Sequence, residues 1–297
     1  PNWDIILSNI PNDKPPVKKQ IQRWLQDKIG IGQNRDQIKV LENKIASLSL
    51  LFEWSSGPLI QVPIGLIEKT KETLKEEYQS VNFQISRNDA MFRYPLQVHG
   101  AMPFKILKEY FHTGAEAADY IYSIAPKAKK ILDFGCGYGR VSRFLKVRFP
   151  EAELLVSDPK KSAMDFQIEN LKTIADEHSP VNLIFAGSVF THLPKKLFQN
   201  SLHELMTRLI EGGALVLTLH PFIDNEFSIY PFTEEAALTG LDDPIDSGVY
   251  GSVYCSKEFL EFCVYSHTEG NLFKCSIDDS SSFGGTQQYI IIERLNR

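Results

Sequence analysis

Three glycines at alternate positions follow a short apolar strand and precede a helix. The strand is predicted over Lys130–Phe134, and the glycines are Gly135, Gly137 and Gly139. Glycine tolerates positive φ and lets the backbone approach a ligand without a Cβ clash. In an open α/β sheet, ligands bind beyond the carboxyl ends of the strands. The pattern therefore predicts that this loop holds a nucleoside.

The spacing and charge of the loop distinguish two kinds of nucleoside cofactor. Dinucleotide sites use G-x-G-x-x-G, whereas here the third glycine comes one residue early and Arg140 takes its position. Asp133 would repel a pyrophosphate but suits the ammonium of a methionine moiety. Asp158, at the end of the second predicted strand, can accept hydrogen bonds from both ribose hydroxyls. Because both cofactors contain ribose, Asp158 fits either one, and a nicotinamide dehydrogenase is the rival interpretation.

Two histidines are candidate catalytic residues, and His192 is the leading candidate for a general base. His192 follows the fourth predicted strand and His220 ends the fifth, so both lie on the ligand side of the sheet. An imidazole with its ordinary pKa of about 6.5 suits the removal of a proton from a hydroxyl. The structural alternatives are a helix cap or backbone hydrogen bond for His192 and strand-end packing for His220.

Composition limits the partners and the location of the protein. The 297 residues include 32 basic and 37 acidic side chains, and a net charge of −5 gives no reason to expect nucleic acid. The four cysteines form no CxxC pair and have no histidine at zinc spacing, so we expect no metal and reduced thiols in a cytoplasmic protein. No apolar run approaches the ~20 residues of a membrane span.

The second half of the chain alternates strands with helices. This order predicts an α/β fold: a doubly wound, mostly parallel, Rossmann-like sheet. The last two strands leave no room for a helix between them, which predicts an antiparallel C-terminal strand. A helix over 104–123 has a break signal at Gly114, and a long loop follows Leu219. The strands are predicted at Lys130–Phe134, Glu153–Ser157, Val181–Ala186, Ala214–Leu219, Leu272–Ile277 and Gln287–Leu295.

Residues 1–85 are predicted as an N-terminal helical extension and residues 86–297 as the sheet domain. Within the extension, apolar side chains recur at steps of three and four, which makes one stripe on a helix. The stripe would pack against the domain, or form a homodimer, or contact a larger polypeptide. A chain that begins at Pro1 rather than Met fits such a larger polypeptide. The stripe consists of Ile38, Leu41, Ile45, Leu48 and Phe52.

The interval between the second and fourth strands is short. Residues 159–180 number only 22, whereas a βαβ unit takes about 30 or more. The third strand is therefore either a remnant near Leu171–Ala175 or missing. Asp176 is a candidate for the adenine contact by its position alone.

Three sequence elements together resemble the class I S-adenosylmethionine-dependent methyltransferases. They are DFGCGYG from Asp133, the Asp158–Pro159 pair, and SVFTHL over Ser188–Leu193. The last element is similar to a bacterial subgroup often encoded beside glycosyltransferases. The resemblance covers roughly residues 90–297, and it implies a methyltransferase sheet with S-adenosylmethionine as cofactor.

The resemblance also implies a role for each matching position. Asp133 and the glycines would line the methionine end, Asp158 would hold the ribose, and residues 188–190 would border the sulfonium. The acceptor would be a sugar or glycan hydroxyl, with a histidine as general base. Methylation of a small-molecule amine or natural product, and a non-catalytic cofactor-binding module, are the alternatives. The implied cofactor residues are Asp133, Gly135, Cys136, Gly137, Gly139, Asp158, Pro159, Ser188, Val189 and Phe190.

Overall fold

A seven-stranded sheet forms the centre of the protein. The computed structural model describes residues 57–99, 103–231, 251–266 and 272–296. Its strands are β1 (Lys130–Phe134), β2 (Glu153–Ser157), β3 (Ile174–Ala175), β4 (Val181–Ala186), β5 (Leu209–Leu219), β8 (Phe273–Phe283) and β9 (Gln287–Arg294), and β6 (Phe227–Pro231) and β7 (Gly251–Cys255) form a separate pair. The strand order is β3-β2-β1-β4-β5-β9-β8; β1 to β5 run parallel, and β9 is antiparallel to β5 and to β8. The predicted sheet with its antiparallel end is thus confirmed.

The central strands are buried on both faces, which explains why their sequences are almost continuously apolar. Ile131, Leu183 and Val216 contribute to the core on one face. Their neighbours Leu132 and Ile184 contribute to the core on the other face. Because strand side chains alternate between faces, a helix layer is needed on each side of the sheet.

Seven α-helices are found in the described ranges, and four of them form these two layers. Their bounds are α1 (Ile64–Lys71), α2 (Ala90–His99), α3 (Pro103–Ile124), α4 (Ser142–Arg148), α5 (Lys161–Leu171), α6 (Lys195–Thr207) and α7 (Lys257–Tyr265). Helices α3 and α4 cover one face of the sheet, and α6 and α7 cover the other. Helix α5 packs beside β2 and β3 at the sheet edge.

Helix α3 runs unbroken through Gly114, so the predicted break there is wrong. A Cβ on Gly114 would lie only 2.0 Å from the carbonyl oxygen of Arg140 and 2.8 Å from the ring of Phe144. The glycine therefore serves close contact between α3 and the start of α4. Glycine destabilises a helix by about 1 kcal/mol relative to alanine. Here the absence of a side chain lets the backbone of Arg140 approach the helix.

The segment before α2 packs into the same core as the sheet. Ile60, Tyr78 and Ile85 are buried in the cluster beneath α3. The boundary predicted at residue 85 reflects a change in sequence pattern, whereas residues on both sides of it pack into one hydrophobic core. The apolar stripe of residues 38–52 lies outside the described residues.

Two connections differ in length or form from a regular α/β unit. Strand β3 has two residues, with Leu155 of β2 opposite Ile174, so the third strand is the remnant that the short interval allows. The stretch after Leu219, predicted as a loop, contains β6, which pairs antiparallel with β7. This pairing depends on partners far apart in sequence, and local pattern did not indicate it.

An ion pair closes the connection between β3 and β4. Arg208 donates to both carboxylate oxygens of Asp176, at 2.8 and 2.6 Å, and both side chains are nearly buried. The amide of Val181, at the start of β4, donates to the carbonyl of Arg208. The ion pair therefore joins Asp176, which directly follows β3, to Arg208, which directly precedes β5. The buried carboxylate of Asp176 serves this pair in place of the contact with adenine that its position predicted.

No helix in the four described ranges combines the length and hydropathy that a membrane crossing requires. In the same ranges, no three His, Cys, Asp or Glu side chains gather as metal ligands would. The four cysteines are free thiols, and all but Cys275 are buried.

We expect Asp176→Ala to lower the free energy of unfolding by about 3–5 kcal/mol, because it leaves the buried Arg208 guanidinium without its counter-ion. Glu293→Gln removes one partner of the exposed pair with Lys274 and is the control, with an expected loss of about 0–1 kcal/mol. Urea denaturation measures both. Equal losses in the two variants would contradict a structural role for the buried pair.

Candidate active site at the carboxyl edge of the sheet

The glycine loop makes a tight bend directly after β1. Gly135, Gly137 and Gly139 have φ values of 70°, 50° and 77°. The amides of Gly135 and Cys136 both donate to the carbonyl of Ser157, at 2.7 and 3.2 Å, which holds the bend against the end of β2. Side chains at these φ values would be strained. The sequence prediction of a bend that requires glycine is confirmed.

Asp158 is held against this bend by two backbone amides. Gly137 donates to Oδ2 and Lys160 donates to Oδ1, each at 2.9 Å. The carboxylate therefore has a fixed orientation at the carboxyl end of β2, beside the glycine loop. Pro159, which follows it, is exposed.

Asp133 lies almost fully buried behind the loop, with 3% of its surface exposed. The hydroxyl of Ser142 donates to its Oδ2 at 2.5 Å. Burial raises the pKa of Asp133 to about 7, and the nearby negative charge of Asp158 adds to the rise, while the hydrogen bond and Arg140 oppose it. A cation bound beside Asp133 would favour its charged form.

Gln167 is a loop-supporting residue that the sequence analysis missed. It is fully buried on α5, and its Nε2 donates to the hydroxyl of Ser142 at 2.8 Å and to the carbonyls of Cys136 and Gly137 at 3.3 Å. The sequence signal for this role was a polar amide side chain on the buried face of α5, one helical turn after Ala163. Cys136 is buried here, and burial raises the pKa of its thiol.

Arg143 is a second missed residue, and it connects the loop to the N-terminal segment. Its guanidinium donates to the carbonyls of Gly139 and Asn82, each at 2.7 Å, and to those of Gln84 and Tyr138 at 3.0 and 3.1 Å. The side chain is 3% exposed. Segment 82–84 is therefore fixed directly beside the glycine bend.

The turn after β4 faces the glycine loop. Val189 contacts Gly135 so closely that a Cβ on the glycine would lie 2.2 Å from Cγ2 of Val189. Ser188 has a φ of 61°, and its amide donates to Thr218 Oγ1 at 2.7 Å. Gln287 of β9 donates to the Ser188 hydroxyl at 2.8 Å and accepts from Thr218 at 2.6 Å. This network fixes the turn in its left-handed conformation.

Phe190 does not border an open site, contrary to the expectation for residues 188–190. Its side chain is fully buried and packs edge to face on Phe198 of α6, with ring centroids 4.9 Å apart. The turn thus directs Val189 towards the loop and Phe190 into the core.

The two candidate histidines lie near one another at the ends of β4 and β5. The Nδ1–H of His192 donates to the carbonyl oxygen of Gly251, the first residue of β7, at 3.0 Å. The His220 ring stacks on Tyr254, at a centroid distance of 4.6 Å. Burial lowers the pKa of both imidazoles, and the proximity of His192 lowers that of His220 further. Both rings are therefore neutral at neutral pH.

An open cavity of about 500 Å³ lies beside this pair. It is lined by Ile223, Tyr230, Ser252 and Tyr254, so none of its lining residues in the described part of the chain is charged. The volume is in the range of small-molecule sites, and Tyr254 joins the cavity to His220.

Comparison with known proteins adds a family match. Residues 118–223, from α3 to the loop after β5, match the family model described as the small methyltransferase domain. No curated protein sequence matches the chain.

Solved structures of similar shape include several methyltransferases. CalS10, an amino pentose methyltransferase of Micromonospora echinaspora, has 15% identity and a TM-score of 0.44, covering 62% of this chain and 91% of its own. DesVI of Streptomyces venezuelae has 12% identity and a TM-score of 0.43, covering 64% and 93%. The magnesium protoporphyrin IX methyltransferase of Synechocystis has 13% identity and a TM-score of 0.44, covering 76% and 97%.

The family match agrees with the strand order and with the glycine bend after β1. Over residues 118–223, which contain the glycine bend and strands β1 to β5, the chain is therefore similar to a methyltransferase domain.

Alanine at Gly135 and at Gly137 separates the two reasons for glycine in this bend. Both variants place a side chain at positive φ, which costs about 1–2 kcal/mol. Only Gly135→Ala also overlaps Val189, which adds about 1–3 kcal/mol, because Gly137 has no atom within 4 Å of a built Cβ. Urea denaturation should show Gly135→Ala as the less stable variant; equal stability would contradict the contact with Val189.

Proposed function

We propose that the protein binds S-adenosylmethionine across the carboxyl ends of β1, β2 and β4 and methylates a hydroxyl of a sugar or glycan. The proposal rests above all on two carboxylates, Asp133 and Asp158, on either side of the glycine bend. Asp158 would accept from the ribose hydroxyls, and Asp133 would face the ammonium of the methionine moiety. The turn at Ser188 and Val189 would border the sulfonium.

The electrostatics of the bend favour this cofactor over a dinucleotide. A pyrophosphate would lie beside two carboxylates, whereas a sulfonium nucleoside brings positive charge to them. The buried Asp133, with its raised pKa, fits an acid that becomes fully charged when a cation arrives. Titration with NADH tests the rival cofactor directly.

The acceptor class is supported by the cavity and by the sequence of the turn. The uncharged aromatic lining around Tyr230 and Tyr254 suits the face of a neutral ring. The SVFTHL element at Ser188–Leu193 resembles the subgroup often encoded beside glycosyltransferases. A sugar ring in this cavity would have a hydroxyl close to His220.

His220 is the stronger candidate for the general base. Its imidazole makes no hydrogen bond within the described ranges, and it stacks on Tyr254 at the edge of the cavity. His192 has the role of a positioning residue in this proposal, because it is largely buried and its Nδ1–H donates to the Gly251 carbonyl, which fixes the start of β7. The cofactor, when bound, supplies an electrophilic methyl group. His220 would take the proton that the acceptor hydroxyl loses.

We expect the affinity for S-adenosylhomocysteine to rise with pH up to about 7 and to level off above it. Below that pH the carboxyl of Asp133 is protonated, so the ligand ammonium loses its counter-charge. The affinity should therefore fall by up to tenfold for each pH unit. Isothermal titration calorimetry from about pH 5 to pH 8 measures this. Asp133→Asn should bind weakly with a flat profile, while Asp165→Asn, at an exposed position on α5, should keep the wild-type profile.

Replacement of His220 tests the base. We expect His220→Asn to lower kcat by about 10²–10⁴-fold with little change in KM, because only the proton transfer is lost. The control is His178→Asn, at an exposed position. Transfer of labelled methyl groups to a panel of sugar nucleotides and glycan fragments gives the rates. Undiminished turnover in His220→Asn, or transfer to amines alone, would contradict the hydroxyl assignment and favour an N-methyltransferase.

A further inference from the structure

One face of the β6–β7 pair carries two tyrosines and two serines. The strand register places Tyr230 opposite Ser252 and Ser228 opposite Tyr254. Because side chains alternate between the two sides of a strand, these four side chains project from the same side of the pair. We call this side the tyrosine face. Three of its four residues line the cavity of about 500 Å³, so the tyrosine face forms a wall of that cavity.

The opposite face of the pair is packed into the protein. Val253 and Cys255 are only 2% and 3% exposed. Phe227 packs edge to face on Phe198 of α6 and on Phe259 of α7. The two strands are therefore held in place through this face, and the tyrosine face is left to line the cavity.

The ring of Tyr230 is the largest free surface on the tyrosine face. Its side chain is 58% exposed, and its ring meets that of Tyr254 at 82°, with centroids 5.7 Å apart. Tyr254 is less exposed, and the His220 ring stacks on it. Among the described residues, the hydroxyls of Tyr230 and Ser252 have no hydrogen-bond partner, so both can bind a ligand.

The chemistry of the tyrosine face favours an uncharged ligand rich in hydroxyls. No lining residue in the described ranges is charged, and burial keeps the nearby His220 neutral by lowering its pKa. A charged ligand group would lose hydration here without gaining a counter-ion. A pyranose ring presents C–H bonds that pack on the face of an aromatic ring, and its hydroxyls donate and accept, as those of Ser and Tyr do.

Two hydrogen bonds join the tyrosine face to the turn after β4. The amide of Val253 donates to the carbonyl of Thr191 at 2.7 Å, and the Nδ1–H of His192 donates to the carbonyl of Gly251 at 3.0 Å. The proposed function places the start of this same turn beside the sulfonium. A ring bound on the tyrosine face would therefore lie next to His220 and near the methyl group.

We propose that the tyrosine face binds the acceptor as a neutral pyranose, with Tyr230 stacked on one side of the sugar ring and Ser252 hydrogen-bonded to a hydroxyl. These two side chains would determine which sugars are accepted. The inference deepens the proposed function and rests on it, because it assigns the acceptor's position relative to His220.

Kinetics of Y230A, Y230F and S252A test this assignment. The acceptors are glucose, galactose and mannose as methyl glycosides and as nucleoside diphosphate sugars, together with the corresponding hexuronic acids. Rates of methyl transfer at varied acceptor concentration give kcat and KM, and saturation-transfer NMR measures acceptor binding to the protein saturated with S-adenosylhomocysteine. I229A is the matched control, because Ile229 is 39% exposed and adjacent on β6 but projects from the opposite face. Calorimetry with S-adenosylhomocysteine confirms that each variant keeps its fold and its cofactor site.

We expect Y230A to raise KM for a neutral sugar by about 10- to 50-fold while kcat changes by less than about threefold, because only binding of the ring is lost. Y230F keeps the aromatic ring and should stay within about threefold of the wild type. S252A should raise KM by about 3- to 10-fold through the loss of one hydrogen bond. I229A should behave as the wild type does.

The hexuronic acids test the requirement for a neutral ring. We expect the wild type to use each hexose at least about tenfold better, in kcat/KM, than the matching hexuronic acid, because the carboxylate finds no counter-ion in the cavity. Equal use of both would contradict the neutral acceptor.

Unchanged KM in Y230A, with sugar methylation intact in the wild type, would overturn the inference and leave the proposed function standing. Equal rises of KM in Y230A and I229A would also overturn it, because the effect would then come from β6 as a whole and not from the tyrosine face. If the wild type binds S-adenosylhomocysteine but methylates no neutral sugar, the proposed function fails, and the inference fails with it.

Discussion

The left-handed bend of residues 135–139 is the constraint on which the site depends. Its glycines allow the backbone to approach neighbouring residues closely, and hydrogen bonds from several elements stabilise it. The carbonyl of Ser157 anchors its start, Gln167 binds its carbonyls from α5, and Arg143 binds its end. A bend with positive φ is unfavourable for most residues, so it persists because the surrounding hydrogen bonds determine it. The direction of Asp158 follows from the same bend, through the amide of Gly137.

The acidic groups around this bend suit the cation of the proposed function. Asp133 is buried, and burial together with the charge of Asp158 raises its pKa. The charged form of Asp133 is costly in the protein alone, since low dielectric penalises an uncompensated charge. Burial lowers the pKa values of the two histidines, which favours their neutral forms. Pre-set charges of this kind reduce the reorganisation needed when a charged ligand binds.

The N-terminal segment is part of the site and not only of the core. Arg143 donates to carbonyls of residues 82 and 84, and Gly114 lets α3 approach the carbonyl of Arg140. The Asp89 carboxylate accepts from the hydroxyl of Tyr110, and its charge acts on Arg140. Movements of this segment would therefore reach the glycine bend through direct contacts. On the other side of the sheet, His192 fixes the start of β7, which lines the cavity with Ser252 and Tyr254.

By itself, the sequence determined the features that depend on neighbours along the chain. Apolar runs predicted the central strands, and the glycine spacing predicted a bend after β1 with Asp133 and Asp158 beside it; the structure agrees, because periodicity and φ preference act over a few residues. Tertiary structure alone decided which side chains support that bend and which face the site. Gln287 reaches Ser188 across 99 positions, Asp176 is taken by Arg208, and Phe190 turns into the core. These outcomes depend on hydrogen bonds and packing between distant segments, which exist only after the sheet has brought the segments together.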